Sequence, residues 1–263
     1  MGNTTCIFCG KTREKAKEHV WPKWLQKEIT GGTKQIFRGT HISNFLMQPL
    51  DERIQSGENL VLGNVCQVCN NGWMCELEND FRPLLLKILS NNNYLLHLSR
   101  KERSAVVLWA YKTAITINAA SNYRKLVPDV HFKHIGKFKQ LPRNVKVDIA
   151  LIKKGKDLEW IQSPIQIALI SRKENSEKFS EQFTTETVSY CIALQIRAFA
   201  MRVSFYENAK ESNYSIDTIH SEKVLRLWPY EKNSQFTLKN QYEDFYKFQV
   251  DIAVIARRKS VHK

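Results

Sequence analysis

The chain has 263 residues and a mass of 30.7 kDa, enough for one large domain or two ordinary ones. Its 43% hydrophobic and 11% aromatic content excludes a disordered tail, and with no apolar run of ~18 residues no membrane span is expected. A net charge of +14 and a pI near 9.5 point to a polyanionic partner, of which nucleic acid is the commonest; a basic surface that aids solubility is the alternative.

Residues Met1 to Cys6 show no basic segment followed by an apolar one, so no secretory signal is expected and the chain is assigned to the cytoplasm. In a reducing compartment, CxxC pairs read as metal sites sooner than disulfides. There are two such pairs, Cys6/Cys9 and Cys66/Cys69. Cys75 and Cys191 stand alone and are expected to be buried apolar residues.

In chain order, Cys6–Cys9 reads as a knuckle between short strands. Val20 to Leu25, with Pro22, reads as a strand end or loop leading to a short helix, and Gly31-Gly32 as a turn. Residues 34–50 alternate loosely, which predicts one or two strands in an insertion. Asn59 to Val65 reads as a strand entering the second knuckle. A helix is expected from about Asn70, a good N-cap, with Trp73, Leu77 and Phe81 on one face and Pro83 as a kink or restart. Residues 84–127 read as helical, broken at Ser90-Asn91-Asn92-Asn93, with Ser104 to Ala120 as a buried helix. Residues 145–256 turn β-like, in runs Val145–Ile152, Ile165–Ser171, Cys191–Tyr206 and Phe248–Ala256; the third would also tolerate a helix. The basic stretch 125–145, with Pro128 and Pro142, is the candidate junction.

The two CxxC pairs suit a closed, tetrahedral, structural zinc site, although two unrelated pairs are the alternative. Between them lies Glu18-His19. A histidine titrating near neutrality can take a proton from water, and a carboxylate can hold a divalent cation. Phosphodiester hydrolysis needs both, with positive charge on the phosphate and leaving oxygen. Glu18 on a metal, His19 on water and an amide oxygen from Asn70 or Asn71 form a minimal set; helix capping by the asparagines and a structural role for His19 are the alternatives.

The runs Lys17-Glu-His-Val-Trp-Pro-Lys-Trp-Leu25 and Val65-Cys-Gln-Val-Cys-Asn-Asn-Gly-Trp-Met74, with Cys6/Cys9 ahead of them, resemble the zinc-stapled branch of the HNH nuclease family. Leu77-Glu78 and Trp109-Ala-Tyr-Lys-Thr-Ala114 are also similar to a bacterial and phage-associated subgroup of it. The catalytic resemblance covers residues 1–80 and implies a ββα-metal (HNH) unit, placed at 1–82. With the helical segment over 83–127 and the β-rich or mixed C-terminal domain over 128–263 read from the residues themselves, the expected fold class is α+β. The resemblance implies His19 as general base, Glu18 and Asn70 on a catalytic Mg2+ or Mn2+ (Ni2+ being a further option), and Asn71 in reserve for Asn70. Asn59 would orient the base; Asn64 lies nearer the second CxxC and is the other choice. Cys6, Cys9, Cys66 and Cys69 would hold Zn2+. The activity implied is endonucleolytic cleavage, of DNA before RNA, and the subgroup suggests anti-phage defence or a mobile element. Two departures bear on this: Glu18 stands where Asp is commoner, and Asn71-Gly-Trp-Met lacks the usual basic residue. The second reading is therefore a zinc-stabilised nucleic-acid-binding module without catalysis, and a third is a protein that binds an acidic partner.

Phosphate contacts are assigned to Lys17 and Lys23 beside the Glu-His step and to Lys133, Lys137 and Lys139 in a basic stretch that also holds His131 and His134, for which a solvated loop is the equal alternative. Trp21, Trp24 and Trp73 read as core packing before base stacking, and Trp228-Pro229-Tyr230 as a strand-end packing feature. His41, His97 and His220 are given no role.

Overall fold

A computed structural model describes residues 2–31, 36–42, 49–56, 60–165, 188–207, 214–230 and 235–256. Strands β1 (Asn3–Thr5) and β2 (Thr12–His19) form an antiparallel hairpin around the first cysteine pair. Val20-Trp21-Pro22 then turns the chain into helix α1 (Lys23–Thr30), which stops at Gly31 in the left-handed conformation that favours glycine. Strand β3 (Ile36–Ile42) falls in the loosely alternating run 34–50, whereas β4 (Pro49–Ser56) lies almost wholly beyond it, and residues 34–35 and 43–48 of that run are outside the described residues. Asn59 and Gly32 lie outside the described residues.

Strand β5 (Val61–Cys66) returns to pair antiparallel with β2, giving a sheet of order β1-β2-β5. Its last residue opens a helical run. A short turn α2 (Gln67–Cys69) passes through a wide, irregular turn over Asn70–Met74, broken at Gly72, into α3 (Cys75–Ser90). The helix thus starts three residues before Asn70, which has helical dihedrals (φ −63°, ψ −52°) and is not the N-cap expected. Pro83 is accommodated inside α3.

Helix α4 (Arg100–Ala120) begins at a capping box: Ser99 accepts from the Glu102 N–H at 3.3 Å and donates its own N–H to Glu102 at 2.8 Å. From Ala105 to Asn118 it is buried on nearly every side, as befits a helix enclosed between layers. Phe81 of α3 stacks on Trp109 of α4 with ring centroids 4.0 Å apart.

The candidate junction is not a linker. It contains helix α5 (Asp129–Phe138), whose buried Phe132 and Ile135 join the main core. A Cβ on Gly136 would lie 2.3 Å from the Phe8 carbonyl oxygen, so α5 packs on the first cysteine loop with no room for a side chain.

The last part holds β6 (Val145–Leu151), β7 (Leu158–Ser163), β8 (Ser189–Ile196), β9 (Phe199–Tyr206), β10 (Tyr214–Asp217), β11 (Leu225–Trp228), α6 (Phe245–Val250) and β12 (Ala253–Ala256). Two expectations change here. The run Cys191–Tyr206 is two strands of one hairpin, turned at Arg197 (φ 53°). The run Phe248–Ala256 starts as helix and ends as strand, because Asp244 caps a turn with its carboxylate on the Lys247 N–H. The strand at 158–163 carried no expectation, and residues 166–171 of the expected strand Ile165–Ser171 lie outside the described residues.

Among the described residues, seven strands form one sheet in the order β11-β6-β9-β8-β7-β3-β4. Strand β3 lies parallel to β7, with Arg38 opposite Glu159 and His41 opposite Gln162, so the insertion of the first unit is woven into the distant sheet. Alternation sorts the two faces. Ile192, Leu194, Met201 and Val203 face α4 and the main core, whereas Ala193, Ala200 and Ala150 face Tyr242, Phe245 and Phe248. Coverage on both faces explains why β8 and β9 are buried along almost their whole length. One hydrophobic core runs from Cys6 and Trp21 through α3 and α4 to this sheet.

Inside it, Asp148 sits between two arginines: the Arg202 Nη2 donates at 3.0 Å and the Arg226 Nε also donates. Arg202 caps the end of α6 as well, donating to the carbonyls of Phe248 (2.6 Å) and Asp251 (2.8 Å). The two guanidinium groups hold the Asp148 carboxyl below its usual value against the burial that opposes this.

Candidate functional site

The four cysteines converge because two turns are held face to face. In the first, the Gly10 N–H donates to the Cys6 carbonyl at 2.8 Å, with Gly10 at φ 69°, a conformation other residues adopt at a cost. The Ile7 N–H donates to the Asn64 carbonyl at 2.9 Å, which ties this turn to β5 just before Cys66. The Sγ atoms of Cys6, Cys9, Cys66 and Cys69 all lie within 4.8 Å of one another, and Cys9 and Cys66 are 3.8 Å apart. A disulfide would need about 2.05 Å, so these are four thiols. Four sulfurs on one zinc at Zn–S distances of about 2.3 Å stand about 3.8 Å apart, so donor set and spacing fit a closed tetrahedral centre. Without a cation the thiols divide: although burial opposes its ionisation, backbone hydrogen bonds from Cys9 and Cys66 bring the Cys6 thiol down to about 7, whereas burial pushes the Cys66 and Cys69 thiols up, so the fit to a metal rests on the donor set and its spacing.

The strand end is organised by a different group. Glu18 stands opposite Leu62 and His19 opposite Val61, after a register shift that sets the exposed Lys17 off the ladder. Glu18 is buried, and its Oε1 accepts a hydrogen bond from the Lys112 Nζ at 3.0 Å. Lys112 comes from the middle of α4 with its side chain 0% exposed, and it donates equally to Glu78 Oε1 at 3.0 Å from the first turn of α3. One ammonium therefore serves two carboxylates. Burial raises the Glu18 carboxyl above its usual value; Lys112 opposes this and Glu78 adds to it. Burial works against the Lys112 ammonium, but the two carboxylates outweigh it and keep the lysine charged.

His19 is half-buried at the end of β2. Asn70 donates from Nδ2 to Asn71 Oδ1 at 3.1 Å, and its own Oδ1 is buried with no hydrogen-bond partner among the described residues. Glu18 pairs four residues before Cys66 and Asn70 follows four residues after it, and the hydrogen bonds of Glu18 go to Lys112 rather than to either asparagine. Among the described residues, the cysteine cluster is the only convergence of three or more Cys, His, Asp or Glu ligand atoms. Asn59 is outside the described residues.

Lys17, Lys23, Lys133, Lys137 and Lys139 are all exposed. The three from 133–139 ride on the outer face of α5 or just past it, and the Lys139 Nζ sits 4.7 Å from the Trp73 ring centroid. His131 does not belong to this basic face. It is buried, its Nδ1 shares a hydrogen bond of 2.9 Å with the Tyr190 hydroxyl, and burial, with His134 nearby, lowers it to about 4. Trp21 is fully buried, Trp24 packs on the core, and Trp73 packs on it against Phe8 of the first cysteine loop. Cys191 is buried as expected, but Cys75 is exposed on the outer side of α3. Lys112 and Glu78 had a signal in the sequence only as members of the runs similar to the HNH subgroup; a lysine inside an apolar helix gives no hint of its partners.

Among the described residues, no helix is long and apolar enough to cross a membrane. The chain matches no protein-family model, no curated protein and no solved structure in these comparisons.

Proposed function

We propose that this chain is a metal-dependent endonuclease of the HNH type, cutting DNA. The observation that carries the reading is the order of elements around Glu18-His19. A strand ends in that step, pairs antiparallel with a second strand, and the second strand runs through a cysteine pair into a helix whose Asn70 offers a buried, unpartnered oxygen. The four-cysteine cluster would hold a structural zinc that fixes the hairpin to the helix.

In this reading His19 takes the proton of the attacking water, as an imidazole near neutrality can. Glu18 and Asn70 would hold Mg2+ or Mn2+, with Asn71 adjusting Asn70 through their hydrogen bond. Bound there, the cation would neutralise charge on the phosphate and the leaving oxygen. Lys112 takes one oxygen of Glu18 and so presents the other in a fixed direction. The exposed lysines at 17, 23, 133, 137 and 139 would track the phosphate backbone. A role in anti-phage defence or a mobile element follows the resemblance of the motifs alone.

A second reading has one observation in its favour. Lys112 already supplies a cation to Glu18, so the strand end is partly charge-compensated without a metal, as in a module that binds nucleic acid and does not cut it. Supercoiled plasmid separates the two. The wild-type chain should nick it with Mn2+ or Mg2+ and not in EDTA, and His19→Ala should leave it intact. Metal-independent binding with no cutting of any DNA or RNA by the wild type would favour the second reading.

A further inference from the structure

A pocket of about 580 Å³ opens between the first two turns of α4, the residues after α5 and the end of β11. Its floor is apolar, with Val107, Leu108, Leu141 and Leu227. Its rim carries Arg100, Arg103 and Lys139, and among the described residues no carboxylate lines it. Two large aromatic rings stand open beside the cations: Trp228 is 45% exposed and Tyr230 51%. The Arg103 guanidinium carbon lies 3.9 Å from the Tyr230 ring centroid, which holds that ring and that charge together.

Each of these features asks for the same ligand chemistry. Exposed aromatic surface, on Trp228 and on the part of Tyr230 that Arg103 leaves open, favours a flat ring, and three cations gathered on one rim favour an anion. A phosphate joined to a flat ring is a nucleotide unit, and the pocket has the size of a small-molecule site. Lys139 also links the pocket to the first unit. It lines the pocket while its Nζ stands over Trp73, three residues after Asn70, so the pocket and the helix start beside the cysteine cluster share this cation. Lys133 and Lys137 extend the same positive face along α5.

We propose that this pocket takes one nucleotide unit of a single-stranded nucleic acid, with the base stacked on Trp228 and Tyr230 and its phosphates on Arg100, Arg103 and Lys139. The proposal deepens the nucleic-acid reading above without requiring cleavage. It gives the chain a grip on an unpaired strand, at a site distinct from His19.

The test is fluorescence anisotropy of a labelled dT15 strand with no divalent metal added, using the whole chain. The wild type binds the strand, and Trp228→Ala weakens binding by at least about fivefold, the lower bound for loss of one base–aromatic stack. Arg103→Ala weakens it too, and Trp228→Phe restores most of the loss. Thermal melting verifies that each variant is folded; both side chains lie at the surface, so little change is expected. Wild-type binding that ignores Trp228→Ala and Arg103→Ala overturns the proposal, as does the absence of strand binding at low salt. Free dTMP or ATP that displaces the strand at equal concentration of nucleotide units makes the occupant a free nucleotide, and the strand assignment then fails. Plasmid cutting reads the other hypothesis separately. A chain that cuts but is indifferent to Trp228→Ala loses only the pocket, and one that grips dT15 through Trp228 but never cuts loses only the nuclease.

Discussion

The Lys112 ammonium lies 3.0 Å from a Glu18 carboxylate oxygen across 94 positions of chain, with both side chains almost wholly withdrawn from water. A second bond of equal length to Glu78 makes this lysine the joint between β2, α3 and α4. Such a group is costly to bury and costlier to break, because removing the cation leaves two carboxylates facing each other in the core. Lys112→Met is therefore expected to lose about 3–5 kcal/mol of stability in urea denaturation near neutral pH.

The same variant should show a distinctive pH dependence. Without the ammonium, the Glu18 carboxyl keeps its burial and its Glu78 neighbour, so its folded value stays above the unfolded one of 4.5. The folded state then binds more protons than the unfolded state, and stability falls as pH rises through that window. Lys112→Met should recover part of its loss between neutral pH and pH 5. A deficit that stays constant with pH would refute this account of the triad.

Zinc content gives a simple count. Purified wild-type chain should carry one zinc per molecule, and Cys66→Ser should carry almost none. Elemental analysis reads the first, and a lowered melting temperature on chelation reads the coupling to folding.

At the far end of the core, Asp148→Asn should cost about 3–5 kcal/mol, since it removes one charge from a buried cluster and leaves two arginines uncompensated. The folded carboxyl lies below the unfolded value of 3.8, so its contribution is present above that value and is lost as pH falls through the folded one. The gap between wild type and variant should accordingly persist at pH 5 and close only in strong acid, as followed by circular dichroism.

Gly136→Ala tests the contact between α5 and the first cysteine loop. Its Cβ would fall 2.3 Å from the Phe8 carbonyl oxygen, which is backbone and cannot swing aside. A loss of about 1–3 kcal/mol is expected, together with faster zinc release to a chelator.

The cysteine cluster was legible because CxxC spacing is a covalent constraint: each pair must turn on itself, and only their meeting had to be inferred. The buried helix over 104–120 was legible from its apolar content. The partners of Lys112 were not, because a buried ion pair depends on where three elements meet and local sequence carries no such term. The hairpin at 189–206 hid in a continuous apolar run, since a central strand buried on both faces loses the alternation that marks its ends. His131 was read with its basic neighbours, whereas helical periodicity turns it inward with Phe132 and Ile135. The pairing of β3 with β7 was invisible for a related reason: parallel strands need no sequence neighbours.

That pairing has a consequence for how this chain can be taken apart. A fragment ending at residue 82 keeps all four cysteines, Glu18 and His19, but it strips β3 from the edge of β7 and carries an orphaned hairpin in its middle. It also lacks the lysine that neutralises Glu18. The segment that looks most portable is thus unfit to travel as a cassette, and a fusion or recombination event that moved it would have to bring along α4 and a sheet with a parallel edge to offer.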